Sequence, residues 1–493
     1  MPKTSSPLIF ALIFFLVVHA WIAFGFQPSQ TDTRLYALYA FVFDSAQRTG
    51  RPPYDHYEAL RRQLGPGVAG AALRADEVTI EYPPLALAML RVPLAFVPRS
   101  ASGARGSSPN DPADWIRGFR RIYFLVHAAL VVAAALWLRR RGTACSFGLA
   151  VATVAGVVML YVLYDRLDLC LGLALLAALG ALMSGHGYLG SALLAVAVNL
   201  KLVPVFLLPL FVLGALPAAA LSEGLTGRRS LRAGAGALAC FAGALLAGFL
   251  PFRLRWGPRV FDFLTYHGER GLQLESSWSS ILLVASWLGY PARLAHIFKA
   301  DEIQGPGTAG LAKVSVVVVL ALLFVVYRCL WRALRQASAA VEVERPSPAT
   351  LAERNPQLFL WAACALLAVA MAGAKVFSPQ YLCWFLPLLL LVERPAHARD
   401  AVAILAFLLA CVLTTGVYPL LWDEAVQATM QNGQVVLRLP TVRVTLLMLA
   451  RNAVWIAFCV LAVARLRASR PVAEAATSAR RPAARQRRRR RGR

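Results

Sequence analysis

Long apolar runs separated by short polar breaks recur along almost the whole chain, from Leu8–Phe26 to Val444–Ala464. A helix crossing a bilayer needs roughly 20 mostly apolar residues, and runs of that kind predict strong helices near 7–26, 119–138, 146–163, 233–252, 311–328, 357–373, 399–418 and 443–465. Shorter runs at 82–98, 167–183, 279–290 and 380–392 are compatible with spanning, re-entering or lying at the interface, since hydropathy does not separate these cases. The stretch 188–216 carries Asn199, Lys201 and Pro204 in its middle. It is either one kinked helix or two short ones hinged at Lys201, and the choice sets the parity of everything before it. The predicted class is an all-α, polytopic integral membrane protein of about twelve spans.

Composition sharpens that picture. The 493 residues are 58% hydrophobic and 15% charged, with a mean hydropathy of +0.59, whereas soluble domains run nearer half apolar and a quarter charged. The run ending at Phe26 follows Lys3 without a clear small-x-small cleavage site, so it is read as a first membrane helix rather than a signal peptide. All eight cysteines lie in or beside apolar runs, without metal-ligand spacing, and read as small core residues.

Charge supplies orientation. The net charge is +26, from 51 Lys+Arg against 25 Asp+Glu, and the excess sits in short loops and in the tail, as the positive-inside rule describes. Arg228–Arg232, Arg328–Arg354, Arg394–Arg399 and the C-terminal tail are assigned to the cytoplasm. The segments Phe252–Ser280, Lys375–Gln380 and Tyr418–Val442 then fall outside, together with residues 27–81. A hinge at Lys201 puts Arg139–Arg141 inside and Asp165–Asp168 outside. Residues 1–464 form one membrane domain. Residues 465–493, with Arg480, Arg481, Arg485 and the Arg487–Arg491 run, form an Arg-rich, disordered cytoplasmic tail suited to anionic lipids rather than nucleic acid.

Candidate chemistry collects on the outside face. Asp32 follows the first apolar run by a few residues, either as a base whose proton affinity is raised by partial desolvation or as the N-cap of the helix from Thr33. Glu81-Tyr82-Pro83-Pro84 fixes an extended lead into a helix, because proline restricts its predecessor. Tyr164-Asp165-Arg166-Leu167-Asp168 places two acids and an arginine between apolar runs, as a self-neutralising set or a substrate contact. Lys201 stands amid hydrocarbon-like sequence, where a lysine marks function unless it snorkels. His267, Arg270, Gln273, Glu275 and Trp278 crowd one segment that would hold an anionic, sugar-like group, with Trp278 available to stack on a ring. Its alternative is an ordinary interfacial loop. Lys375 and Gln380, before Trp384 and Pro387, form a second such block. P-loop, dinucleotide-glycine, Gly-x-Ser-x-Gly and His-Glu-x-x-His motifs are all lacking. No metal or other cofactor is predicted, and a lipid-fed reaction outside the cytoplasm is.

Taken in order, Asp32, the Gly50–Tyr54 turn, Glu81-Tyr82-Pro83-Pro84, Lys201 with Pro204, Tyr266–Trp278 and Lys375–Tyr381 resemble glycosyltransferase family 87. The resemblance runs from about Asp32 to Pro387. It implies a C-type membrane fold with extracytoplasmic loop helices. It also implies a polyprenyl-phosphate-mannose donor, a hydroxyl acceptor on a lipid or glycan, and inversion at the anomeric carbon. Under it Asp32 is the general base, with Glu81 a competing carboxylate, and His267, Arg270, Lys201 and Lys375 stabilise the departing phosphate. Two other classes remain as alternatives: a transporter or flippase for an anionic or polyprenyl-linked lipid, and a non-catalytic assembly factor.

Overall fold

A computed structural model of the chain describes residues 5–26, 31–53, 55, 80–96, 113–142, 145–223, 225–339, 349–431 and 434–467. Among these, seven helices are long and apolar enough to cross a membrane: Pro7–Phe24, Ala113–Arg140, Arg228–Glu269, Thr308–Ala337, Pro356–Gly373, Ala398–Leu420 and Val442–Arg467. This is the architecture of a multi-pass membrane protein. Six further apolar helical segments, of 10–17 residues, run through Pro84–Phe96, Ser146–Val158, Asp168–Met183, Gly187–Leu200, Val203–Ala215 and Pro379–Leu391. The run at 146–163 is therefore shorter as a helix than its hydropathy suggests. It stops at Val158 and passes through turns to the charged Asp165-Arg166-Leu167-Asp168 segment. The last helix continues to Arg467, and the tail beyond it lies outside the described residues.

Burial separates the helices into a shell and a centre. In Arg228–Glu269 only 17% of the apolar window is buried, and Leu231, Leu238, Leu246 and Leu250 face outward. In Pro356–Gly373 the figure is 83%. Such outward leucines are stable only in a hydrocarbon solvent, because soluble monomers do not expose contiguous apolar surface on that scale. The central helix is instead packed all round, and the Trp455 indole N–H donates to its Ala368 carbonyl at 3.1 Å.

Residues 188–216 resolve as two helices. Gly187–Leu200 ends where Lys201 turns extended (φ −160°, ψ 135°), and Val203–Leu207 restarts the chain as a 3-10 turn leading into Leu208–Ala215. Pro204 lacks the N–H that a continuous helix would need to donate to the Leu200 carbonyl, and the extended residue falls at Lys201.

The hinge fixes which helix ends lie together. The Arg141 guanidinium donates to the Met183 carbonyl at 2.8 Å and lies 3.6 Å from Glu353, while Ala218 N–H donates to the Ala349 carbonyl at 2.9 Å. The chain around Arg141, Met183, Ala218, Ala349 and Glu353 is thus gathered at one end of the bundle. Asp168, Lys201, Arg270 and Lys375 stand where helices begin or end at the other.

A small antiparallel sheet is the departure from an all-helical expectation. Its order is β1-β3-β2-β5-β4, with β1 Leu272–Gln273, β2 Arg293–Ile297, β3 Ala300–Gln304, β4 Gln427–Gln431 and β5 Gln434–Arg438. Two distant loops are tied by it through the Leu294↔Leu437 pair.

Candidate functional site

Asp168 is the first residue of the Asp168–Met183 helix, where the aligned peptide dipoles favour an anion, and Lys201 closes the Gly187–Leu200 helix, where they favour a cation. Their side chains meet at 2.8 Å, with 1% and 15% exposure respectively. The same Asp168 Oδ1 accepts the Trp384 indole N–H at 2.6 Å. Lys201 Nζ also lies over the rings of Tyr381, at 4.3 Å, and Trp384, at 5.3 Å. Both rings come from the 3-10 turn Pro379–Trp384, in which residues three apart eclipse one another, so they stack with centroids 4.6 Å apart. Gly172 permits this closeness: a Cβ there would stand 2.7 Å from the Cys383 carbonyl oxygen. Asp168 Oδ2 is buried and has no hydrogen-bond partner among the described residues.

Around this pair stand parts of the chain far apart in sequence. The Thr31–Thr49 helix buries Tyr36, Tyr39, Ala40 and Phe43, a helical stripe. Tyr36 and Tyr82 hydroxyls are 3.0 Å apart, and Tyr39 accepts a hydrogen bond from Lys299 Nζ at 2.6 Å. Glu81 is partly buried. Burial pushes its carboxyl up, but Lys299, Arg270, His267 and Lys201 together outweigh burial and hold it below the ordinary glutamate value. His267 Nε2 is 3.1 Å from the Glu81 carbonyl oxygen, and Arg270 Nε is 3.8 Å from Glu302. Glu81, Tyr82, Asp168, Lys201, His267 and Arg270 therefore come together in one polar cluster, joined by Tyr36, Tyr39, Lys299, Tyr381 and Trp384, which sequence reasoning had not assigned to the site. Asp32 stands in the Thr31–Thr49 helix four residues before Tyr36, but its side chain is outside the described residues.

The remaining candidates have other positions. Lys375 Nζ donates to the Gly268 carbonyl at 3.0 Å and also to that of Arg270, so it ties down the loop that bears Arg270. Burial pushes its ammonium below the ordinary lysine value. The Trp278 indole N–H donates to the Gly373 carbonyl at 2.8 Å. Gln273 Oε1 accepts the Phe377 N–H at 2.9 Å, and Ser378 Oγ donates to Gln380 Oε1. Lys375, Trp278 and Gln273 thus hold backbone, and Gln380 pairs with Ser378.

Glu275 and Arg166 belong to a second buried group. The Glu275 backbone carbonyl accepts from Arg451 Nη2 and, at 3.4 Å, from Asn452 Nδ2. Its carboxylate accepts from Gln273 Nε2 at 3.3 Å. Burial pushes the Glu275 carboxyl up to about 7; Arg451 and Arg166 pull against that rise, and Asp301 adds to it. Arg166 Nη2 donates to the Tyr418 hydroxyl at 2.9 Å. Arg451, fully buried in the last helix, was the missed member, and its signal was Arg451-Asn452 in the middle of an otherwise apolar run.

No protein-family model matches the chain, and no curated protein matches its sequence.

Proposed function

We propose that the protein is a membrane glycosyltransferase that moves a hexose, mannose by the resemblance in sequence, from a polyprenyl-phosphate donor to a hydroxyl of a lipid or glycan acceptor. The carrying observation is the gathering of Lys201, Arg270, His267 and Lys299 around Glu81 and Asp168, at the end of the bundle away from Arg141 and Glu353. Nucleotide donors are served by no motif in the chain, whereas a lipid phosphate reaches a site at helix ends laterally.

In this reading Asp32 takes the acceptor proton as the acceptor oxygen attacks the anomeric carbon. The carbon–oxygen bond to phosphate breaks on the opposite face, which inverts the sugar. Charge grows on the departing phosphate, and fixed cations in a site of low dielectric stabilise it. Glu81, held ionised by its cationic neighbours, is a weak base and a good organiser of those cations. Asp168 holds Lys201 in place through their ion pair. The fold in this reading is the C-type one, with about twelve spans completed by the short helices. The positive-inside rule places the site outside the cytoplasm of the cell membrane and the Arg-rich tail within.

The test is transfer of a labelled sugar from a polyprenyl-phosphate donor by membranes carrying the protein. Asp32→Ala should lower transfer by about 10²-fold or more, the usual worth of a general base, with Glu81→Ala weakening donor use. Full transfer in Asp32→Ala would remove the assigned base. Donor translocation without transfer would favour a flippase.

A further inference from the structure

Strands β2 and β3 form a hairpin whose last pair is Ile297↔Ala300, leaving Phe298 and Lys299 as a two-residue turn. Both have positive φ, 52° and 55°. Turns of this hand match the twist of the strands and draw Asn-Gly, because a Cβ crowds the backbone in the left-handed region. Phe and Lys are poor choices for the turn itself. Strain of this kind persists where the surroundings over-determine it and collects at functional sites.

The surroundings here are specific. The Phe298 carbonyl accepts the Tyr266 hydroxyl, which seats the tip against the helix Asp262–Glu269. Lys299 Nζ donates to Tyr39 at 2.6 Å and lies 5.1 Å from the Tyr39 ring centroid and 5.9 Å from that of Tyr266. Phe298 packs edge-on against Tyr266, with centroids 5.5 Å apart. Among the charges acting on Glu81, that of Lys299 is the largest. The strained tip thus delivers an ammonium from the small sheet into the polar cluster, beside two tyrosines.

We infer that Lys299 is a further phosphate-binding residue of this site, contacting the anionic head of a polyprenyl-phosphate ligand. The inference rests on the lipid-phosphate reading above. An ammonium carries three donors and can bridge Tyr39 and a phosphate oxygen together. A point charge on a flexible stem suits a phosphate that arrives already carrying charge and leaves carrying more. The hairpin supplies this cation, and the helices supply Lys201, the two acting on the same Glu81 carboxyl.

The test uses the full-length protein in detergent, with a short-chain polyprenyl monophosphate as probe and thermal unfolding as readout. Wild type should be stabilised by the lipid and not by inorganic phosphate at equal concentration. Lys299→Ala should need about tenfold more lipid or beyond for the same stabilisation, in the range of a lost charge-assisted hydrogen bond. Lys299→Arg should recover most of it. Phe298→Gly keeps the lysine and accepts the turn's positive φ, and should bind the lipid as wild type does. Should Lys299→Ala not fold, Lys299→Gln provides the same comparison with the stem retained. Equal lipid response in wild type and Lys299→Ala or Lys299→Gln would overturn the role of Lys299 and leave the donor class standing. A wild type indifferent to the lipid, or equally stabilised by inorganic phosphate, would overturn the lipid-phosphate reading and this inference with it.

Discussion

Glu275 shows how one buried side chain writes a pH dependence into the whole protein. Its carboxyl is pushed up to about 7 from an ordinary 4.5, so the folded chain holds a proton that the unfolded chain has already released. For an acid with a raised folded value, the associated stability is fully present below pH 4.5 and is lost as pH rises through 7. The difference is on the order of 3 kcal/mol at most. Glu275→Gln keeps the shape and removes the titration. Thermal unfolding of wild type should therefore fall between pH 4.5 and 7.5, and the variant should be flatter and more stable at the alkaline end. Equal slopes would mean that the carboxyl is not titrating in that window. Glu275 was legible in sequence as a polar candidate, but its isolation from solvent was not. That depends on Arg451 and Asn452, which reach it from 176 and 177 positions away.

At the scale of elements, the Asp168–Lys201 pair joins the start of one helix to the end of the next, with each charge at the helix end that favours it. Breaking a buried pair strands the survivor and costs about 3–5 kcal/mol, whereas replacing both partners with apolar residues is far gentler. Asp168→Leu and Lys201→Met alone should each unfold at clearly lower temperature than wild type, and the double variant should recover much of the loss. Additive losses in that cycle would show that the pair is not coupled. The hinge itself could be read from Lys201 and Pro204, since proline chemistry is local. The hairpin could not: the apolar stretch before it gives no turn residue at Phe298-Lys299, because tertiary contacts to Tyr266 and Tyr39 hold that turn open.

Across the whole molecule, the grouping of Arg141, Met183, Ala218, Ala349 and Glu353 at one end makes a topological prediction. Single cysteines at exposed Arg229 and Glu269 should react with a membrane-impermeant maleimide from opposite sides. Intact cells should label Glu269→Cys, and inverted vesicles Arg229→Cys; labelling of both from one side would dismantle the proposed orientation. By itself, the sequence determined that this is a multi-pass membrane protein and where most of its long helices lie, and it marked Lys201 and Pro204 as the place of a kink or a break. Hydropathy, charge and proline act over a few residues and need no partner. The tertiary structure alone decided which polar residues share a site: Lys299 and Tyr39 with Glu81 and Lys201 in one, Glu275 and Arg166 with Arg451 in another, Trp278 and Lys375 holding backbone. Such meetings join positions hundreds of residues apart, and the packing of helix ends brings them about rather than any local pattern.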